Sequence, residues 1–137
     1  MANGIVYREG FKYQLVEPYS VRLPLYPASY IDTHFIKIST SGDLVIAPDY
    51  AWDGPSGPTI DSLSSMRGSL IHDALYQMIR AGALTPAQRK TADDIYRNAC
   101  IQDGMFEWRA NGHFKALEWF GMPAARPSGE RPLLRAP

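Results

Sequence analysis

The chain has 137 residues, enough for one globular domain with a substantial hydrophobic core. Its 45% hydrophobic and 12% aromatic fractions are typical of globular proteins, and its 14 basic and 14 acidic residues cancel. Without a basic excess, we expect neither nucleic-acid binding nor peripheral contact with a membrane. No stretch is apolar enough to predict a transmembrane segment, and residues 1–10 lack the apolar core of a secretory signal.

The first half of the chain is predicted to form one small antiparallel sheet. Runs rich in β-branched and aromatic residues predict its strands, at residues 11–16, 19–23, 35–39 and 44–47, with residues 4–7 at the edge. Thr40-Ser41-Gly42-Asp43 predicts a hairpin turn, with glycine where a positive φ is needed. Residues 50–59 contain two glycines and two prolines and predict a loop.

The second half is predicted to form three helices. Apolar residues at three- and four-residue steps predict the first helix at about residues 62–80, capped by Gly82. Thr85, Pro86 and Gln88 form the opening of a second helix that runs to about residue 102. A third begins at about residue 105 or 111 and ends at residue 120. The fold class is therefore α+β.

One domain and a tail are predicted. Residues 1–121 hold all the predicted elements, whereas residues 122–137 are rich in proline and arginine and show no amphipathic period. We expect this tail to be disordered or to lie against a partner. The single cysteine, Cys100, excludes an intramolecular disulfide and fits a reducing cytoplasm, and we expect it to be a small packed residue.

The candidate catalytic residues lie on the first two helices. His72 and Tyr76 are four residues apart on the first helix, so they share one face. A neutral histidine can take a proton from water, provided an acceptor orients its other nitrogen, and Asp93 on the second helix can be that acceptor. The alternative is that His72 only completes a contact between the helices. Asp94, between Lys90 and Arg97, is expected at the surface.

A calcium site is the candidate cofactor site. Asp73 can bind a hard cation through oxygen, and Asp53, Gly54 and Gly57 lie in a loop that can present carbonyl oxygens to the same ion. The sequence has too few histidines and cysteines in suitable positions for zinc. In the alternative interpretation, Asp73 is a solvated carboxylate and the loop is anchored by a buried Trp52.

Three segments together resemble domain-of-unknown-function family 1353. They are Ala51-Trp52-Asp53-Gly54-Pro55-Ser56-Gly57-Pro58-Thr59, then Met66-Arg67-Gly68-Ser69-Leu70-Ile71-His72-Asp73-Ala74-Leu75-Tyr76, and then Ala92-Asp93 with Tyr96. The resemblance spans roughly residues 30–121. It implies a protein of tailed phages or prophages, found in the cytoplasm of the bacterial host or associated with the virion, and it implies no particular activity.

A glycine-bearing loop followed by His-Asp-x-x-Tyr, and then by an aspartate on an antiparallel helix, is similar to the core of phospholipases of the A2 class. This similarity implies that His72 activates water and that Asp93 orients His72. It also implies calcium binding by Asp73 and the loop, and hydrogen bonds from Tyr76 and Tyr96 to Asp93. The disulfides of those enzymes have no counterpart here, since Cys100 is the only cysteine.

Two functional hypotheses follow from these residues. The first is a phage-encoded, calcium-assisted hydrolase that acts on an ester, with His72 as base. The second is a non-enzymatic virion, tail or accessory protein, in which the histidine, aspartates and tyrosines form a buried polar network that fixes the packing of two helices. In the second case the tail at residues 122–137 or exposed aromatic residues would contact other phage or virion proteins.

Overall fold

The computed structural model of the chain describes residues 4–10, 12–52 and 63–115. The predicted α+β class is confirmed: two small antiparallel sheets occupy the N-terminal half, and three helices follow in the C-terminal half. The described residues divide into two compact units, a sheet unit that ends at Trp52 and a helical unit that begins at Leu63. All the described candidate site residues belong to the helical unit.

Seven short strands build the sheet unit. In chain order they are β1 (Tyr7–Gly10), β2 (Lys12–Leu15), β3 (Tyr19–Arg22), β4 (Ile31–Asp32), β5 (Ile36–Ile38), β6 (Asp43–Ile46) and β7 (Ala51–Trp52). One sheet has the order β1-β2-β7 and the other the order β3-β6-β5-β4, and every neighbouring pair is antiparallel. The sequence predicts one sheet, so the division into two is a difference from that prediction.

Alternation of side chains explains the larger sheet. Ile36, Ile38, Leu44 and Ile46 are fully buried, whereas Lys37 and Val45 between them are exposed. This period of two is the pattern of a sheet with one face on a core and one in solvent. The predicted turn between β5 and β6 is confirmed, and Gly42 has a φ of 94° there.

Two strands were not predicted from the sequence. Strands β4 and β7 are only two residues long, too short to show a period. Strand β7 lies in the segment that was predicted to be entirely loop. There Trp52 pairs with Tyr13 of β2, and their rings are 5.5 Å apart. The predicted burial of Trp52 is confirmed, and the rest of that segment, from residue 53, lies outside the described residues.

The first helix, α1, spans Leu63–Arg80. Almost every side chain between Ser65 and Arg80 is buried, so α1 is the central element of the helical unit. The predicted cap is confirmed, since Gly82 has a φ of 83° and the backbone N–H of Gly82 donates to the carbonyl of Ile79. This left-handed residue ends the helix.

The second helix, α2, spans Arg89–Gln102 and is preceded by a 3₁₀ turn at Pro86–Gln88. The Gln88 side chain accepts a hydrogen bond from the backbone N–H of Thr85 at 2.8 Å, as the predicted capping pattern requires. A third helix, α3, covers residues 107–115 of the described chain. Its predicted end at residue 120 and the predicted tail at residues 122–137 lie outside the described residues.

Helices α1 and α2 pack closely and antiparallel. Gly68 of α1 allows this approach, because a Cβ atom at this position would lie 3.1 Å from Tyr96 Cδ1 and 3.2 Å from both Cys100 Sγ and the Tyr96 carbonyl oxygen. Polar contacts run from Tyr76 with Asp93 to Arg67 with Asp103, so the partner number rises on α2 as the number falls on α1. The antiparallel packing expected from the sequence is therefore present.

Candidate functional site: a buried histidine and aspartate between two helices

His72 and Asp93 form a buried pair between α1 and α2. Their atoms Nε2 and Oδ1 are 2.7 Å apart, and the His72 and Asp93 residues are 4% and 0% exposed. Helix α1 places His72 and Tyr76 one turn apart on the face that meets α2. The structure thus brings together the four residues that were predicted to be catalytic, with Tyr76 hydrogen-bonded to Asp93 and the Tyr96 ring 5.6 Å from the His72 ring.

Three donors surround the Asp93 carboxylate. The Tyr76 hydroxyl donates to Oδ1 at 2.7 Å, the same oxygen that His72 contacts, and Arg89 Nη1 lies 3.4 Å from Oδ2. Burial, together with the hydrogen bond to Asp93, raises the pKa of Tyr76 far above its usual value, so its hydroxyl keeps its proton and remains a donor. The carboxylate therefore has three partners. His72 and Tyr76 reach it from α1, and Arg89 reaches it from one turn earlier on α2 itself.

This geometry assigns different roles to the two His72 nitrogens. Because a carboxylate oxygen accepts, Nε2 carries the proton and donates to Asp93. Within the described part of the chain, this is the one hydrogen bond that the His72 ring makes. In the neutral ring Nδ1 then carries a lone pair, and it is the nitrogen that can accept a proton from a bound water or hydroxyl.

Tyr96 has a partner that the sequence analysis did not predict. Its hydroxyl lies 2.8 Å from Nδ1 of His113 on α3, whereas the prediction paired Tyr96 with Asp93. Burial, with a smaller contribution from the charge on Arg109, lowers the pKa of His113 and favours its neutral form. The 2.8 Å contact is therefore a hydrogen bond between the Tyr96 hydroxyl and Nδ1 of a neutral ring. No local motif surrounds His113, so spacing along the sequence could not have indicated this contact.

Arg89 is a second residue that the sequence analysis missed, although a signal was present. It precedes Asp93 by four residues, the spacing of an intrahelical ion pair. Arg97, four residues after Asp93, contacts Asn111 and Glu107 instead. Asp94 is exposed, as expected.

A second, partly buried ion pair joins α1 to the C-terminal end of α2. Arg67 Nε contacts both carboxylate oxygens of Asp103, at 3.2 and 3.0 Å, and Arg67 Nη2 donates to Gln102 Oε1 at 2.8 Å. Arg67 is buried despite its charge, which is tolerable only when a partner is present. The sequence analysis placed Arg67 only in a family motif and did not predict this pair.

The predicted calcium ligands are mostly outside the described residues. Asp73 is half-buried on α1, beside His72, but Asp53, Gly54 and Gly57 lie in the undescribed segment at residues 53–62. Among residues 4–10, 12–52 and 63–115, no three side chains of the histidine, cysteine, aspartate or glutamate type are grouped closely enough to hold a metal ion. A calcium ion at Asp73 would therefore need oxygens from elsewhere in the chain or from water.

Cys100 is buried, as expected, on the face of α2 that meets Gly68. Burial raises the pKa of its thiol to about 11. The thiolate, which is the reactive form, is therefore scarce at neutral pH. This agrees with its interpretation as a small packed residue and gives no support to a cysteine nucleophile.

Comparisons of the chain with protein-family profiles, curated proteins and solved structures gave no match. None of the helices in the described residues has the length and apolar character needed to cross a membrane. The site must therefore be interpreted from its own geometry.

Proposed function

We propose that the protein is a hydrolase in which His72 acts as the general base. The 2.7 Å contact between His72 Nε2 and Asp93 Oδ1 carries this proposal, since it leaves Nδ1 as the proton acceptor. A positioned histidine of this kind accelerates a reaction by about 10² to 10⁴-fold. Ester hydrolysis is the reaction class that the similarity to the phospholipase A2 core favours.

In the proposed reaction, Nδ1 takes a proton from water as the water oxygen attacks the ester carbonyl. The positive charge that forms on the His72 ring is stabilised by the Asp93 carboxylate at Nε2. Tyr76 and Arg89 hold Asp93 in place for this role. The proton then returns from Nδ1 to the leaving alcohol, which restores the neutral ring.

Calcium, bound through the Asp73 carboxylate, belongs to the proposal as an aid to binding. Asp73 follows His72 directly on α1, and its carboxylate is the type of oxygen ligand that calcium prefers. We also propose, from the motif resemblance, that the protein belongs to domain-of-unknown-function family 1353 and comes from a phage or prophage. It would then act in the bacterial host cytoplasm or with the virion.

The proposal is tested by assaying the full chain on p-nitrophenyl esters of increasing chain length and on phospholipid vesicles, with calcium or with a chelator. We expect His72→Gln to lower the rate by at least about 10²-fold. Glutamine can still donate to Asp93, but it has no lone-pair nitrogen that can take up a proton. Asp94→Asn is the matched control, since Asp94 is exposed and adjacent to Asp93.

A rate above background in the wild type that His72→Gln leaves intact would overturn the role of His72. Equal rates with calcium and chelator, in both wild type and Asp73→Asn, would remove calcium from the proposal and leave the base assignment standing. If Asp94→Asn also abolishes hydrolysis, the loss of activity is not specific to the pair of His72 and Asp93.

One observation favours the second hypothesis, a structural role in a virion or accessory protein. His72, Tyr76, Asp93 and Tyr96 are each at most 4% exposed, as expected of a network that only fixes helix packing. In that case His72→Ala would reduce the free energy of unfolding by about 1–3 kcal/mol, and no ester in the panel would be hydrolysed. The tail at residues 122–137 would then be the candidate contact with other phage proteins, which pull-down with and without that segment would test.

A further inference from the structure

Two tyrosine rings lie against the ring of His72. The Tyr76 centroid is 4.0 Å from the His72 centroid, and the Tyr96 centroid is 5.6 Å away with its plane inclined by 66°. Tyr76 is anchored by its hydrogen bond to Asp93. The orientation of His72 therefore also depends on what anchors Tyr96.

Tyr96 is anchored by α3. His113 stacks on the Tyr96 ring, with centroids 5.9 Å apart and planes inclined by 15°, and its Nδ1 forms a hydrogen bond with the Tyr96 hydroxyl at 2.8 Å. On the side of α1, Tyr96 Cδ1 lies close to Gly68, where an added Cβ would be only 3.1 Å from it. Tyr96 is thus confined between α1 and α3, with His72 at its edge.

We propose that His113 is a positioning residue, which holds Tyr96 against His72 and so makes the orientation of the His72 ring depend on α3. His113 itself need not touch the substrate. The catalytic consequence rests on the proposed function of His72, but the coupling between the two histidines is a property of the folded chain. It can therefore be measured whether or not the protein is an enzyme.

The experiment uses the full chain labelled with ¹⁵N at histidine and follows the imidazole resonances of His72 by NMR. In His113→Phe an aromatic ring remains but the nitrogen that hydrogen-bonds to Tyr96 is lost. We expect the Nε2 proton of His72 to exchange with water about five- to tenfold faster, the factor that corresponds to one lost hydrogen bond. The ¹⁵N shifts of His72 should move in the same variant.

A conservative variant separates positioning from bulk packing. Asparagine at residue 113 places a carbonyl oxygen close to the position of Nδ1, so His113→Asn should restore the wild-type exchange rate and shifts of His72. Tyr96→Phe keeps the ring in place and removes only the hydroxyl, so it should reproduce the effect of His113→Phe. That variant also keeps the test decisive if His113→Phe fails to fold.

The control is Asp103→Asn, which weakens the Arg67 pair in the same helical unit without touching either histidine. It should leave the His72 resonances unchanged. Wild-type exchange and shifts in Tyr96→Phe would overturn the proposal, as would an Asp103→Asn effect as large as that of Tyr96→Phe. Failure of ester hydrolysis would contradict the proposed function alone, because the NMR result does not depend on any substrate.

Discussion

The Asp93 side chain shows how a charge is accommodated in the interior of this protein. A carboxylate without partners costs several kcal/mol to bury, and Asp93 is completely buried. Its two oxygens receive hydrogen bonds or charge from His72, Tyr76 and Arg89. Each donor therefore offsets part of the desolvation cost, and removal of any one leaves part of the carboxylate unsatisfied.

Tyr76→Phe should therefore be destabilising, although it removes a single oxygen atom. Hydrogen bonds to charged groups contribute about 1.5–3 kcal/mol, so we expect the free energy of unfolding to fall by about 2 kcal/mol. Urea denaturation of both proteins measures the change. Tyr30→Phe is the control, since Tyr30 is 56% exposed and should change stability by less than about 0.5 kcal/mol. Equal stabilities of wild type and Tyr76→Phe would show that water replaces the hydroxyl at Asp93.

Among contacts between individual residues, the sequence indicates those within one helix and those between two helices that are predicted to be neighbours. His72 with Tyr76 follows from four-residue spacing, and Asp93 follows from the alignment of two strongly predicted helices. Arg89 follows from the same spacing rule applied toward the N-terminus. The contact of His113 with Tyr96 cannot be predicted in this way. It depends on the angle at which α3 packs against α2, and the spacing of residues does not determine that angle.

The packing of α1 on α2 depends on one missing side chain. At Gly68 two of the three nearest atoms belong to a ring and a backbone carbonyl, neither of which can yield easily. Gly112 of α3 is the opposite case, because an added Cβ would meet nothing within 4 Å. Substitutions at these two glycines therefore distinguish the effect of helix propensity from the effect of packing.

Gly68→Ala should lower the free energy of unfolding, and Gly112→Ala should raise it. Alanine favours a helix over glycine by about 1 kcal/mol at either site, whereas overpacking costs about 1–3 kcal/mol at Gly68 alone. We expect a net loss of about 1 kcal/mol in the first variant and a gain of up to about 1 kcal/mol in the second. Thermal and urea unfolding measure both. A Gly68→Ala protein that is more stable than the wild type would mean that α1 and α2 can move slightly apart at little cost in free energy.

Element boundaries were predictable where a cap or a turn marks them. Gly82 and the Thr85-to-Gln88 segment delimit α1 and α2, because each satisfies backbone groups that the helices leave unpaired. The two-residue strands β4 and β7 have no such signal. Each is defined only by its pairing with a neighbouring strand, β4 with β5 and β7 with β2, so their positions are a property of the assembled sheets.

For the whole molecule, the order of elements was predictable and their pairing was only partly so. The change from a period of two to a period of 3.6 near residue 62 is visible in the sequence and separates the sheet half from the helical half. Which strands share a sheet is decided by pairings between strands distant in the sequence, β2 with β7 and β3 with β6. That is why a single predicted sheet proved to be two.

Stability of the whole molecule should depend on the protonation of His113. Its pKa is lowered in the folded state from 6.5, chiefly by burial, so the unfolded chain takes up the proton first as the pH falls. The contribution of neutral His113 to the free energy of unfolding is fully present above the pKa of the unfolded chain. It is lost progressively as the pH falls from about 6.5 to the pKa of the folded state.

Urea denaturation at about pH 7.5 and about pH 5 tests this dependence. We expect the wild type to lose more stability than His113→Asn over this interval, because asparagine does not titrate. The difference between the two losses isolates His113 from other groups that titrate in the same range. Parallel losses in both proteins would show that His113 does not contribute to acid destabilisation.

The turn at Gly42 has a consequence for how the larger sheet assembles. The Gly42 carbonyl accepts the backbone N–H of Leu23 at the end of β3, and a Cβ at Gly42 would lie only 2.2 Å from the Leu23 carbonyl oxygen. The end of β3 therefore docks onto the turn itself. A hairpin forms in about 1–10 μs, faster than segments some twenty residues apart can be aligned into a sheet. We infer that β5 and β6 pair first in folding and that β3 is added to a turn already closed, so a slow or misformed turn would delay the sheet at its first step.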